Sequence, residues 1–289
     1  MKYIFLINSF TVGKKTNELV NGIKNYCEDK KINYKIEINS IDRSTESILR
    51  KYKNSKNIII PIGGDGIINR TLNSIVNTKN ILSFIPYGTG NDFYRTSIKE
   101  FKSGINKCDL IRVNDKYFIN TMCFGIDADI ASNKNLFKYN YIPKDMRYTL
   151  SILYTFFKYK SKYFYVKVNG NEIKSDFTTI AICNGMYYGG GYYISPNSKL
   201  SDGYMDILLV PNTNKLSMIK IILSMKKGKH INSDKIQVLR AKKIEIESNK
   251  SCVANIDGED IEDKKFDIEI IKDGIDVFFD SDMILKLKR

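Results

Sequence analysis

Two kinds of apolar patterning follow one another along the chain. Up to about residue 115, short unbroken apolar runs alternate with segments whose apolar residues recur every three or four positions. Residues 2–8 (KYIFLIN), 33–38, 57–62 (NIIIPI) and 81–85 are of the first kind, the pattern of strands buried on both faces of a parallel sheet. Residues 16–30, 42–52 and 66–76 are of the second. Ile48, Leu49 and Tyr52 share one helix face, and Ile68, Leu72, Ile75 and Val76 share another. Thr16 is the expected N-cap of the first helix. A β-α-β-α series of this kind predicts a Rossmann-like, doubly wound parallel sheet.

Beyond residue 115 the period changes to two. Residues 117–123, 163–168, 178–184, 204–210, 235–239, 242–247, 251–256, 266–270 and 276–279 read as strands, many alternating apolar with polar positions. Two helical segments, 144–158 and 214–226, interrupt them. The expectation is an α/β domain over residues 1–115 and a mainly antiparallel β-sandwich or barrel over 116–279. The closing segment, 280–289, is expected to return to the first domain. No internal repeat or low-complexity linker is present.

Composition narrows the class. Of 289 residues, 43% are hydrophobic and 27% charged, which excludes a disordered chain. No apolar run approaches the ~18 residues that span a bilayer. The run at residues 3–7 is too short for a signal peptide and has no cleavage site after it, so it reads as a first strand. The five cysteines (27, 108, 123, 183 and 252) form no C-x-x-C pair, as expected of reduced thiols in a cytoplasmic protein. The single histidine, His230, argues against a histidine zinc site or a Ser-His-Asp triad. Lys and Arg number 46 against 32 Asp and Glu, a net charge of +14, and only eight of the basic residues are Arg. Such an excess suits a solubilising lysine surface, an anionic membrane or a nucleic acid. No nucleic-acid-binding signature accompanies it.

The chemistry gathers after two of the apolar strands. Pro61-Ile62-Gly63-Gly64-Asp65-Gly66 links a strand to a helix. Glycines there let phosphates approach the backbone, and the helix start offers N–H groups and a positive dipole to an anion. Asp65 stands where it can reach a phosphate-bound Mg²⁺. The next strand ends in Pro86-Tyr87-Gly88-Thr89-Gly90-Asn91-Asp92-Phe93-Tyr94-Arg95. Thr89 and Asn91 offer hydrogen bonds, Asp92 a second carboxylate and Arg95 a phosphate partner. Both loops should open at the carboxyl edge of the sheet, where ligands bind in such folds.

GGDG followed by P-x-G-T-x-N-D-F-x-R resembles the diacylglycerol kinase catalytic-domain superfamily, which includes bacterial soluble diacylglycerol kinases, related lipid kinases and sphingosine kinases. Cys123-Phe124-Gly125-Ile126-Asp127-Ala128-Asp129 is similar to a family G-F-G-x-D-A segment. Asn184-Gly185, Gly189-Gly190-Gly191, Pro196 and Asp202-Gly203-Tyr204-Met205-Asp206 are similar to its N-G, G-G-G, P and D-G-x-x-D block, and Asp257-Gly258-Glu259 to its late D-G-E. The resemblance implies ATP between the domains, held by Asn8, Ser9 and the loop to Gly13, with Ser40 as a weaker candidate. It implies phosphate contacts from Gly63, Gly64, Asp65, Gly66, Ile67, Asn69, Arg70, Thr89, Asn91 and Asp92. It implies a structural Mg²⁺ on the Asp202 carboxylate and the carbonyls of Lys199 and Tyr204. Asp257 and Glu259 become the base candidates, Asp257 ahead, with Asp65 as a third catalytic carboxylate; Asp127 and Asp129 are assigned either to the headgroup and metal waters or to structure. Two apart on a regular strand, Asp257 and Glu259 would face one way, unless the Gly258 turn aims them differently.

The chain also departs from the family pattern. Ile67 replaces a threonine, Asn69-Arg70 replaces N-E, and Ser9 replaces the proline of the first loop. The reading is an ATP- and Mg²⁺-dependent lipid kinase acting on a lipid hydroxyl, diacylglycerol first. It would be cytoplasmic and peripheral at the inner membrane surface, where anionic phospholipid meets the basic chain, with no nucleic-acid partner and room for a homodimer. Residues 144–158 are a candidate lipid-docking helix, and Tyr187-Tyr188-Gly189-Gly190-Gly191-Tyr192-Tyr193 a flexible aromatic wall for an apolar ligand. The alternatives are an NAD kinase-like enzyme, since GGDG marks that relative too, and a catalytically weak regulator, motivated by Ile67 and Arg70.

Overall fold

A computed structural model describes residues 1–8, 13–40, 43–125 and 161–288. Ser9, Asp127, Asp129 and the expected helix at 144–158 lie outside the described residues. The first half builds β1 (Lys2–Asn8), α1 (Thr16–Asp29), β2 (Tyr34–Asn39), α2 (Thr45–Leu49), β3 (Asn57–Gly63), α3 (Asp65–Ile75), β4 (Ile81–Leu82), β5 (Ile85–Pro86) and α4 (Asp92–Glu100). β2, β1, β3 and β4 lie side by side, all parallel, and β5 continues on β3. The unbroken run in β1 is explained by its neighbours. Ile4 and Leu6 enter the core on one face with Ile59 and Leu72, while Phe5 and Ile7 enter the core on the other with Leu19 and Ile23. Thr16 is the first residue of α1 rather than its N-cap. Its hydroxyl donates to the Gly13 carbonyl at 2.6 Å, so it closes the turn before the helix instead of accepting the first helical N–H.

The second half adds β6 (Gly104–Val113), β7 (Lys116–Phe118), β8 (Thr121–Gly125), β9 (Lys162–Val168), β10 (Asn171–Cys183), β11 (Met205–Pro211), α5 (Lys215–Met225), β12 (Gln237–Ala241), β13 (Lys243–Ile256), β14 (Glu259–Phe279) and α6 (Ser281–Leu287). Pairing runs β12-β11-β10-β8-β13-β14, and β9 pairs with both β10 and β13, so the antiparallel strands curl around a core that includes Phe124, Phe164, Phe177 and Phe266. The sequence reads 266–270 and 276–279 as two strands. They are one 21-residue strand, β14, whose register against β6 shifts between Ile271 and Ile275. Its far end pairs in parallel with β4 through Val277 and Leu82, so one continuous sheet joins the two halves. α6 then places Met283 and Leu287 among Leu19, Ile23 and Phe5. All five cysteines are buried and none is in a disulfide. His230 is buried with Nε2 2.7 Å from the Ile194 carbonyl, and burial lowers its pKa.

Candidate active site

Two glycine turns meet backbone to backbone at the carboxyl edge of the parallel strands. One leads from β3 through Gly64 into α3, the other from β5 through Gly88 into α4. A Cβ on Gly88 would lie 2.5 Å from Gly64 Cα and 3.0 Å from Gly64 N, closer than any side chain tolerates. Asn91 adopts a left-handed backbone (φ 53) and folds back onto Gly88, accepting its N–H at 3.0 Å and donating to its carbonyl at 2.7 Å.

Asp65 locks the two turns together. Its carboxylate oxygens accept the N–H groups of Asp92 and Phe93, each at 3.1 Å, so it caps α4 from a different loop. Burial raises its pKa against the pull of those hydrogen bonds. Asp92 is buried beside it, with Oδ2 accepting the Gly190 N–H at 2.8 Å. Its Oδ1 has no hydrogen-bond partner among the described residues and lies 3.9 Å from Arg95 Nε. Burial, and then the charge of Asp65, push the Asp92 pKa up to about 6.

The third carboxylate comes from the β-rich half. Asp257 and Gly258 form a two-residue hairpin turn between β13 and β14, both with positive φ (48 and 91). The turn aims its two acids apart. Asp257 points inward, where Oδ1 accepts the Thr121 N–H at 2.8 Å and Oδ2 the Ile119 N–H at 2.9 Å and Asn69 Nδ2 at 3.2 Å. Burial pushes its pKa up to about 6, those donors oppose, and Asp65 adds to the rise. Glu259 points outward and pairs with Arg70 on α3. Its Oε1 lies 3.1 Å from where a Cβ on Gly66 would stand. Asp65, Gly66, Asn69, Arg70, Asp257 and Glu259 therefore share one neighbourhood.

The glycine triplet closes over the second turn. Gly190 holds Asp92, and a Cβ on Gly191 (φ 109) would lie 3.2 Å from Arg95 Cζ. Arg95 Nε donates to the Gly90 carbonyl at 3.2 Å. Tyr187 stacks on Tyr193 at 4.8 Å, with Lys99 Nζ 4.9 and 4.4 Å from the two ring centroids.

The other expected nucleotide contacts spread along the same sheet edge. Asn8 ends β1 in register with Asn39, and its Cβ would sit 3.6 Å from one on Gly63. Ser40 follows β2, exposed and bridged to Arg43; Gly13 (φ 55) opens the turn before α1; Thr89 is exposed on the second loop. Two candidates turn away. The Ile67 side chain is 2% exposed and packs in the core with Ile68 and Leu72, so only its backbone N–H is available at the helix start. Asn69 is buried against Asp257 and the Tyr117 carbonyl. What remains suits phosphate: helix-start N–H groups without intrahelical acceptors, glycines that bare the backbone, and Arg70 one turn on. Among the described residues, no three Asp, Glu, Cys or His side chains converge to hold a metal. The spare Asp92 oxygen fits an ion that arrives with phosphate and is held through water.

The expected metal turn is differently occupied. Asp202 Oδ1 accepts the Tyr204 N–H at 3.1 Å, and Oδ2 meets Arg240 Nη2 at 2.5 Å. Arg240 Nε lies 3.4 Å from Asp206, and its guanidinium covers the Tyr204 ring at 4.7 Å. A cation of the chain's own sits on the carboxylate, so Lys199, Asp202 and Tyr204 as arranged do not fit a divalent ion. Sequence reasoning missed the acid that holds this turn. Asp109 is fully buried, with Oδ2 accepting the Gly203 N–H at 2.6 Å and Oδ1 the Asp273 N–H at 2.8 Å. Its only signal was a lone acid inside the apolar run of β6.

Comparison with known proteins follows the same division. Residues 2–117 match the diacylglycerol kinase catalytic domain, and residues 120–279 match the YegS C-terminal NAD kinase beta sandwich-like domain. A Staphylococcus carnosus protein named "Putative lipid kinase" is 25% identical over 281 residues, covering 92% of this chain and 91% of its own. A diacylglycerol kinase of Mycobacterium tuberculosis is 27% identical over 206 residues, 65% of this chain and 66% of its own. A solved structure described as "a putative diacylglycerol kinase" from Bacillus anthracis superposes with a TM-score of 0.73 at 20% identity, over 98% of both chains, a likeness of fold. The chain belongs to the diacylglycerol kinase family of lipid kinases, with a catalytic α/β domain followed by a YegS-type β-rich domain.

Proposed function

We propose that this protein transfers the γ-phosphoryl group of ATP to a lipid hydroxyl, diacylglycerol being the leading acceptor. Residues 1–115, completed by 280–289, hold the nucleotide, and residues 116–279 receive the lipid. The observation that carries the reading is the Asp257 turn, brought from the β-rich half onto α3 through Asn69. A carboxylate with a pKa near 6 is ionised at neutral pH yet more basic than an ordinary one. Asp257 accepts the acceptor's proton as the phosphoryl group arrives, and the N–H groups of Ile119 and Thr121 fix its orientation. The α3 start and Arg70 face the charge on the phosphates. Mg²⁺, when bound with ATP, neutralises phosphate charge, and Asp92 with Asp65 are the residues to hold its water shell. The departures at Ile67 and Arg70 do not weigh for a weak regulator, because Ile67 fills core and Arg70 is matched by Glu259. The enzyme works at the cytoplasmic membrane surface, where its acceptor resides.

The test is transfer of label from [γ-³²P]ATP into a panel of lipids in anionic mixed micelles with Mg²⁺, comparing wild type with Asp257→Asn. Label in diacylglycerol, lost in a folded D257N protein, is the expected result. Label in NAD and in no lipid, or bound ATP with no transfer at all, sinks the proposal.

A further inference from the structure

α5 is apolar on two opposite faces, and among the described residues only one of them is covered. Met218 and Ile221 are buried against Ala181, Leu208 and Val210 of the β-rich domain. On the other side Leu216, Ile219 and Leu223 are 75, 36 and 64% exposed. At about 100° per residue these three fall within an arc of roughly 60°, on the side opposite Met218 and Met225. Lys220 flanks the arc on one side, and Lys215 and Lys226 on the other. From residue 207 to 233 the chain carries five lysines and no acidic residue. A helix apolar all round belongs in an interior, so the outer stripe asks for a cover.

We infer that this outer face of α5 is the surface by which the protein docks on an anionic phospholipid bilayer, with Leu216, Ile219 and Leu223 entering the headgroup boundary. The inference rests on the lipid-kinase reading for its purpose but not for its chemistry. An apolar stripe edged by lysines is complementary to acyl chains beneath negative headgroups. A second copy suits it less, because a twofold contact would set lysine against lysine. The position is apt. At the helix end the Met225 carbonyl accepts the Tyr193 N–H at 3.2 Å, and Lys226 Nζ lies 5.9 Å from the Tyr192 ring centroid. Tyr192 and Tyr193 follow directly on the glycine triplet that holds Asp92. A bilayer under α5 would thus lie beside the segment leading to the phosphoryl-transfer site.

Sedimentation with vesicles that contain no acceptor separates docking from catalysis. Wild type is expected to bind phosphatidylglycerol vesicles, weakly at high salt, and to leave pure phosphatidylcholine vesicles in suspension. The double variant L216S/L223S, changed only at exposed positions, is expected to bind about 30-fold less tightly. Its activity toward a soluble short-chain diacylglycerol should equal that of wild type. Undiminished binding by the variant overturns the inference. So does a wild-type dimer in size-exclusion chromatography that the variant dissolves while vesicle binding persists, since the face would then be a self-interface. If neither protein phosphorylates any lipid yet only wild type binds vesicles, the kinase reading fails and the docking surface stands.

Discussion

Arg70 and Glu259, 189 residues apart in sequence, form an ion pair across the junction of the two domains. Read alone, the arginine in α3 is a charge reversal in a phosphate loop. The pair shows that the reversal has a counterpart, and that Glu259 answers a guanidinium. Both side chains are substantially exposed, so the pair itself contributes no more than ~1 kcal/mol to stability. Its effect should fall on nucleotide binding. Arg70→Glu sets two carboxylates together at the helix start and is expected to raise KM for ATP about 10-fold, with Tm almost unchanged. Adding Glu259→Arg to that variant should recover a good part of the loss. Steady-state kinetics on the single and double variants checks this, and additive effects would show that the two residues act separately.

The contact between Gly64 and Gly88 predicts a second result. A methyl group on Gly88 would strike the backbone of Gly64, which has no flexible end to yield. Gly88→Ala should therefore part the loops and cost about 3 kcal/mol, with phosphoryl transfer falling to background. Gly170→Ala is the control. Gly170 has a left-handed φ of 78 but open space around it, so only backbone strain of about 1 kcal/mol is expected, with activity intact. Thermal denaturation and label transfer on both variants decide the matter. Equal effects would mean that the Gly64 backbone gives way and the contact does not constrain Gly88.

How much of this was legible depended on range. β1 ends where its apolar run ends, because burial on both faces leaves no choice of period. The two glycine loops were legible because each is a local strand-turn-helix signal. β14 was not. The sequence places a break between strands 266–270 and 276–279, and Asp273 there does take a positive φ of 53, yet the long partner β6 carries the pairing past the irregularity. The resemblance led to the D-G-E acids, but not to their opposite directions, which follow from positive φ at both Asp257 and Gly258. The Asp65 cap on α4 and the Arg240 pair with Asp202 escape notice for the same reason. Each joins residues distant in sequence, and neither leaves a periodic trace.

That Arg240 pair carries a metal prediction. With its guanidinium on Asp202, wild type without nucleotide should show the same Tm in EDTA as in millimolar Mg²⁺. Arg240→Ala leaves Asp202 and Asp206 without that cation, while Asp109 still holds the Gly203 turn. The variant is then expected to be less stable in EDTA and to regain at least part of the loss in Mg²⁺. A wild-type Tm that rises by several degrees with Mg²⁺ would mean that a divalent ion displaces Arg240.

The raised pKa values of Asp92 and Asp257, each about 6, set opposite demands on folding and on catalysis. The folded state holds both protons more tightly than the unfolded chain, whose carboxyls titrate near the ordinary value of 3.8. Between about pH 4 and 6 the folded form therefore binds more protons, and its stability falls as pH rises through that window. Catalysis runs the other way, since a base must be ionised: kcat/KM should climb up to about pH 6 and level off above it. Asp257→Asn should abolish transfer at every pH and remove part of the stability slope. It also turns an amide N–H₂ toward the N–H donors around that side chain, a mismatch worth about 1–3 kcal/mol, so the comparison requires denaturation curves for both proteins. Asp92→Asn separates the two titrations. If the kinetic limb near pH 6 stays in that variant it belongs to Asp257, and if it vanishes the limb reports Asp92 and another group must take the proton.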